Sequence, residues 1–376
     1  MTLNLNVSKN IFFEGLNALQ NITNKRGTLA ILSNILIETD KDTIILTATD
    51  LEIGLQIKIP AEIKESGSLT LPSKKIFEIV RESGSSSINI IEKENSWVEI
   101  QAGQSIYNLA GISSAEFPEF PEFNKDTFIS FEAHIFSEII DKIIYSIATE
   151  QENNYVLTSV LFEKENKNNK FYLRMISSDG HRLSVMEKDV AADINKLNLN
   201  EITLIPKKGI QEFKKFCENR DNVQVSFEEK QLVVKDENAI MIIRLKEGEF
   251  PPYKTIINAI QLTNKITIDR IPFLESLKRI NLFTEDIFHT IKFEIIEDNM
   301  ILSSQNADIG NAKDVQKIIY KGEPLVLGFN CRFFIETLQV MESDTVDAYI
   351  NYNNSPCLLK SDFDDGFLSI IMPMKL

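Results

Sequence analysis

Six stretches of the chain change their apolar period from two to between three and four in the same way, and they fall into two alternating sets. "LNLNVSKNIFFEGLNAL" from Leu3, "FISFEAHIFSEIIDKII" from Phe128 and "ITIDRIPFLESLKRI" from Ile266 each start as a short alternating strand and run into an amphipathic helix. "LTLPSKKIFEIVRES" from Leu69, "ITLIPKKGIQEFKKFCEN" from Ile202 and "LVLGFNCRFFIETLQV" from Leu325 start as a strand, turn at a small or polar residue and enter a helix. The helical parts carry apolar residues on one face, as in Ile76, Phe77, Ile79 and Val80, or Phe333, Phe334, Ile335 and Leu338. Hairpins are expected between the sets, in "ILSNILIETDKDTIILTATD", "VLTSVLFEKENKNNKFYLRMISSD" and "FHTIKFEIIEDNMILSSQNAD", with further strands after each second helix. The order helix, strands, helix, strands returns about every 120–140 residues, too long for a solenoid repeat and suited to whole domains. The expectation is an α+β chain of three copies of one duplicated helix-plus-antiparallel-sheet domain, at 1–125, 126–258 and 259–376, with boundaries near "PEFNKD" and "IINAIQLTN".

Length and composition agree with this division. A chain of 376 residues is too long for one comfortable core, and 43% hydrophobic with 25% charged residues is ordinary for a globular protein. No apolar run approaches a membrane span, and "MTLNLNVSKN" lacks a basic-then-apolar leader pattern. Cys217, Cys331 and Cys357 are odd in number and widely spaced, without metal-binding spacing, so buried thiols in a reducing cytoplasm are expected. No metal, cofactor or membrane partner is expected.

The net charge of −15 argues against a tight nucleic-acid binder, because Lys and Arg supply most phosphate affinity. Its distribution tells more. Lys74, Lys75 and Arg81, then Lys207, Lys208, Lys214 and Lys215, then Lys278 and Arg279, all fall in the helical stretches. Acidic residues crowd the turns, as in "EKEN" twice, Glu228–Glu229 and "DFDD". The pattern describes a molecule with one weakly basic, helical side and an acidic remainder.

Four local features bear on chemistry. In "SSDGHRLSV" (177–185), Asp179 and His181 suggest a carboxylate–imidazole pair with Ser178 or Ser184 as nucleophile, but Asp-Gly between alternating residues is a tight-hairpin signal. No GxSxG, phosphate-binding GxxxxGK[ST], HExxH or strand-linked GxGxxG is present, which favours the hairpin. In "TATDLEIGL" (47–55), Asp50 and Glu52 are two apart on an expected strand and so share a face, too few ligands for an oxygen-only metal site. "AEFPEFPEF" (115–123) reads as a linker tied down by its phenylalanines. The tail alternates Leu368, Ile370, Met372, Met374 and Leu376 with Ser369, Ile371, Pro373 and Lys375, the period of a half-buried strand that lies at an edge or stops at Pro373. Its methionines would also suit adaptable partner binding.

Six stretches in order along the whole chain resemble the bacterial sliding clamps, the beta subunits of DNA polymerase III. They are "RGTLAILSNILIE" (26–38) with "LTATDLEI" (46–53), "SSDGHRLSV", "LIPKKGIQEF" (204–213), "EGEFPPY" (247–253), "GFNCRFFIETL" (328–338) and the ending "IIMPMKL". The resemblance implies a head-to-tail homodimer closed into a ring around duplex DNA, with helices inside and sheets outside. It implies a non-catalytic processivity factor of the replicative polymerase. Twelve helices packed at ~8–10 Å describe a circle of roughly 31–38 Å between opposite axes. Removing one helix diameter of ~10–12 Å leaves at least ~20–28 Å, enough to admit a duplex. Partners implied are sequence-independent DNA, the second copy, the polymerase catalytic subunit, the clamp loader, and other polymerases and repair proteins through short linear motifs.

Carried over position by position, the family's DNA contacts match Arg26, Lys74, Gln151 and Tyr155, with Val156 where well-studied members have an aromatic. The partner-peptide groove matches Leu157, Ser178, Gly180, His181, Arg182, Leu183, Pro251, Ile256, Asn330, Ile370, Ile371, Met372, Pro373, Met374 and Leu376. Asn154 and Thr255 stand where some members have arginine. At the ring interface Leu282 and Phe283 match an apolar pair that faces Tyr107 and Leu109 of the other subunit. Two other classes remain to be compared: a hydrolase using Asp179 and His181, and a repeat-built peptide-binding adaptor without a DNA role.

Overall fold

The structure, a computed structural model, describes residues 2–23, 29–150, 155–284, 289–352 and 355–376. Its helices are α1 (Lys9–Leu19), α2 (Ser73–Glu82), α3 (Ala133–Ile143), α4 (Lys207–Cys217), α5 (Tyr253–Ala259), α6 (Arg270–Asn281) and α7 (Cys331–Val340). Every helix but α5 directly follows a strand, so all six expected strand-to-helix passages form. The change of period marks each joint. At α7, for example, the Asn330 side chain accepts the Arg332 N–H at 2.9 Å, satisfying a helix-start donor as the backbone leaves its extended form. The short α5 was not expected.

The chain separates into two units, 1–133 with 195–198 and 211–245, and 134–194 with 199–210 and 246–376. The first holds two antiparallel sheets. One runs in the order Glu62–Glu65, Asn4–Ser8, Ser87–Glu92, Trp97–Ala102, Ser105–Ala110. The other has eight strands and joins the first repeat to the second, because Ala239–Arg244 pairs with Ile53–Pro60 in the register Met241↔Leu55. α1 and α2 bury Phe12, Leu16, Leu19, Ile76 and Val80 beneath them, and the Phe13 and Phe77 rings stack at 5.2 Å. The linker is tied down as expected: Phe117 is buried with Ile31 and Leu32, and Phe123 meets Phe128 edge-on at 6.0 Å. Asp50 and Glu52 do not share a strand face. The strand ends at Thr49, Leu51 takes a φ of +74°, and Asp50 Oδ1 accepts the N–H groups of Glu52 and Ile53, closing a turn.

The second unit is built on one twelve-stranded sheet in which Arg182–Val190 pairs with Phe367–Ile371, joining the second repeat to the third. Phe273, Phe293, Phe329 and Phe334 pack ring to ring at 5.0–6.4 Å behind α6 and α7. The tail departs from the alternation read in the sequence. Its strand stops at Ile371, before Pro373, but lies between Arg182–Val190 and Cys357–Lys360 rather than at an edge. Ile370 and Ile371 point to opposite faces and are both buried, because both faces of this interior strand are covered. The three cysteines are buried, and burial pushes the Cys217 and Cys331 thiols up to about 12.

A buried ion pair staples parts of the second and third repeats together. Lys142 Nζ donates to Asp364 Oδ1 at 2.7 Å, to Val340 O at 2.5 Å and to Glu342 Oε1 at 3.1 Å. Burial opposes ionisation of Asp364, but Lys142, Ser361 and the Glu342 N–H outweigh it and hold the carboxyl below its ordinary range. Such a group stabilises the fold above its unfolded value of about 3.9, and that stability is lost as pH falls through the folded value. Lys142→Met is therefore expected to cost about 3–5 kcal/mol at pH 7 in denaturant unfolding, leaving Asp364 buried without its cation. It should also flatten the loss of stability below about pH 4 relative to the native chain.

Candidate functional site

The residues proposed to meet DNA divide into described and undescribed positions. Arg26, Gln151 and Asn154 lie outside the described residues. Lys74 projects from α2 with its side chain 75% exposed and its Nζ 3.8 Å from Glu78 Oε1. Tyr155 is 64% exposed, and Lys246 Nζ sits 4.1 Å from its ring centroid while donating to Thr158 Oγ1. Lys246 was not singled out in the sequence, since nothing local links it to a tyrosine 91 residues away. Val156 turns inward and packs against the core with Phe250.

The proposed groove residues converge in the second unit. The hairpin forms as its Asp-Gly pair suggests: Gly180 takes a φ of +88°, and Ser178 Oγ donates to Arg182 O at 2.7 Å and accepts the Gly180 N–H. Leu183 pairs with Ile370 and Arg182 with Ile371, and Met372 N donates to His181 O at 2.9 Å. Leu183 and Ile370 belong to one apolar cluster with Leu161, Tyr253 and Leu358, while Leu157 lies against Gly180. α5 places Tyr253 and Ile257 in that cluster, and exposed Ile256 and half-buried Pro251 flank them. Met374 N then bonds Gly328 O at 2.7 Å, carrying the tail onto the strand that ends at Asn330. Gly328 is required there, since a Cβ would stand 2.8 Å from Met374 O and 2.9 Å from a Leu376 methyl. Met372 and Leu376 stay exposed beside buried Leu183 and Ile370, an apolar surface with methionine at its margin.

The catalytic dyad does not assemble. Asp179 Oδ1 accepts the His181 and Arg182 N–H groups, and Oδ2 accepts Arg182 Nε at 2.9 Å. The His181 ring stacks instead over Phe333 at 6.4 Å.

The proposed interface residues sit at open borders. Leu282 is 72% exposed and Phe283 half-buried, just beyond α6. Tyr107 and Leu109 lie on Ser105–Ala110, the last strand of its sheet, beside exposed Ile106.

Residues 3–121, 130–252 and 260–375 match, in that order, the N-terminal, central and C-terminal domains of the DNA polymerase III beta subunit. The chain belongs to the DNA polymerase III beta subunit family. The beta sliding clamp of Chlamydia pneumoniae is 26% identical over 370 residues, 98% of each chain. Among solved structures, the beta sliding clamp of Caulobacter crescentus superposes with a TM-score of 0.94 at 24% identity, covering 100% of both chains. A sliding clamp from Bartonella birtlesii, solved bound to griselimycin, gives 0.93 at 24% identity over 100% of both. The three-domain clamp fold accounts for the repeats read in the sequence.

In this beta-subunit chain the tail adds two backbone hydrogen bonds beyond Ile371. Deleting residues 372–376 should therefore lower the melting midpoint by no more than about 5 °C. The same deletion, and His181→Glu at the opposite wall, should abolish binding of a labelled peptide carrying glutamine followed by leucine and phenylalanine, read by fluorescence anisotropy. Gly328→Ala, which displaces Met374 and Leu376, should weaken that binding roughly tenfold, or about 1.4 kcal/mol. Equal affinity in all variants would reduce the tail to a strand end.

Proposed function

We propose that this chain is a DNA sliding clamp, the processivity factor of the replicative polymerase, encircling duplex DNA as a homodimer and tethering partners through the Leu183–Ile370 groove. Family membership along all three domains carries this reading. The domain limits 1–125, 126–258 and 259–376 are kept as its frame.

Open sheet borders support closure by a second copy. Among the described residues, Ser105–Ala110 has a strand on one side only. Gly310–Ile319 pairs with Asn299–Asn306 along its length, but on its other side only Ile318 and Ile319 are paired among the described residues. Unpaired strand edges beside exposed Ile106 and Leu282 are surface that a monomer ordinarily covers or blunts with charge. Docking Tyr107 and Leu109 of one copy on Leu282 and Phe283 of the next satisfies both.

The cations suit sliding rather than gripping. Lys75 bonds Glu78 at 3.0 Å and Arg279 bonds Asp314 at 2.6 Å, each pair on its helix or beside it. Exposed pairs of this kind contribute about 0–1 kcal/mol, so phosphates exchange with the carboxylates at little cost and hold weakly. Retention then comes from topology. Among the described residues no helix is long and apolar enough to cross a membrane, and no cluster of three His, Cys, Asp or Glu could hold a metal. The working reading is a non-catalytic protein acting in the cytoplasm with DNA, the polymerase, the clamp loader and repair proteins as partners.

Native mass spectrometry tests the ring. The wild type should be a dimer at micromolar concentration, and Leu282→Ala with Phe283→Ala should give folded monomers, having lost about 4–8 kcal/mol of apolar burial. A monomeric wild type, or a fully dimeric double variant, would contradict closure.

A further inference from the structure

The paired strands Arg182–Val190 and Phe367–Ile371 have two faces, and only one is the groove. Leu183 and Ile370 face the apolar cluster. Arg182, Ser184 and Ser369 alternate to the other face, where they meet the turn Ile144–Ser146 after α3 and one side of α7. There the Tyr145 hydroxyl accepts from Ser184 Oγ at 2.7 Å and lies 3.0 Å from Thr337 Oγ1 and 3.3 Å from Ser369 Oγ. Thr337 and Ser369 are themselves 3.2 Å apart, and Thr337 donates to Phe333 O at 2.8 Å. Ser184, Thr337 and Ser369 are wholly buried. Burial pushes the Tyr145 phenol above its ordinary pKa, so the ring stays neutral and keeps its O–H.

Arg182 completes the arrangement. Its guanidinium lies 4.5 Å from the Phe333 ring centroid and 5.1 Å from that of Tyr145. Its N–H groups go to Asp179 Oδ2 at 2.9 Å, to Tyr145 O at 2.7 Å and to Glu336. The side chain is thus engaged internally.

We propose that Tyr145, Thr337, Ser369 and Arg182 are positioning residues for the partner groove, fixing the hairpin wall at 178–183 against the tail wall at 370–374 from the face opposite the peptide. The proposal rests on the groove reading of Leu183 and Ile370. Buried hydroxyl bonds are directional and costly to leave unmade, so this network holds the two strands in one arrangement where apolar contacts alone would allow several. Peptides gain affinity from walls already in place, because less ordering is left to be done on binding. None of these hydroxyls needs to touch the peptide to govern its affinity.

The test uses the full-length protein and the labelled glutamine–leucine–phenylalanine peptide in anisotropy, with hydrogen exchange followed in parallel. Tyr145→Phe and Thr337→Val should bind the peptide roughly tenfold more weakly, equivalent to losing one buried hydrogen bond. Exchange should rise in Arg182–Val190 and Phe367–Ile371 but not in Asn34–Asp40 of the other unit. Thr337→Ser, which keeps the hydroxyl, should behave as wild type. Tyr145→Phe removes one oxygen, and should it unfold, Thr337→Val gives the same reading. A wild type that takes up no peptide overturns the groove and this proposal together. A wild type that binds, alongside Tyr145→Phe and Thr337→Val variants of equal affinity, overturns this proposal alone, whatever their exchange.

Discussion

A strand with no neighbour leaves a row of N–H and C=O groups without partners, and the repeats of this chain meet by removing such rows. Ala239–Arg244 extends the sheet begun by Ile53–Pro60, and Arg182–Val190 is continued by Phe367–Ile371. Both joints are antiparallel ladders reinforced by buried side chains, Met241 with Leu55 in one and Leu183 with Ile370 in the other. The central repeat consequently contributes strands to both units of the chain. Among the strands that stay open along one side are Ser105–Ala110 and much of Gly310–Ile319, where the proposed second copy would dock.

The same ladder explains where a partner groove can form. Joining the second repeat to the third brings the Asp179–Gly180 turn beside the chain's last residues, and the tail then crosses to Gly328. An apolar surface made by two repeats is held from behind by Tyr145 and Arg182, so its shape is fixed by the joint rather than by any one loop. A protein retained on DNA by closure needs little phosphate affinity, which is consistent with a net charge of −15 and with cations already paired to carboxylates on the helices.

Much of this was legible in the chain because it is local. The period change at Ser8, Pro72 or Asn330 marks a strand-to-helix joint within a few residues, and Asp179-Gly180 encodes its own turn. The tail is harder to read for the opposite reason. Alternation reports a sheet with one wet face, whereas Phe367–Ile371 has strands on both sides and cover on both faces, so Ile370 and Ile371 are both buried. Asp50 and Glu52 are expected on a strand, but Asp50 ends it by capping the turn. The Tyr145 network gave no signal at all. Its partners Thr337 and Ser369 are 192 and 224 residues away, and a tyrosine just past the end of an amphipathic stretch carries no mark of them.

The central claim is that this protein is held on DNA by its topology. It is tested most directly by loading the protein onto a nicked circular duplex with a clamp loader, removing free protein, and following retention before and after a restriction enzyme linearises the DNA. Retention on the circle and rapid loss once ends exist are expected, with loss slowed when the ends are blocked. Equal retention on circular and linear DNA would contradict it.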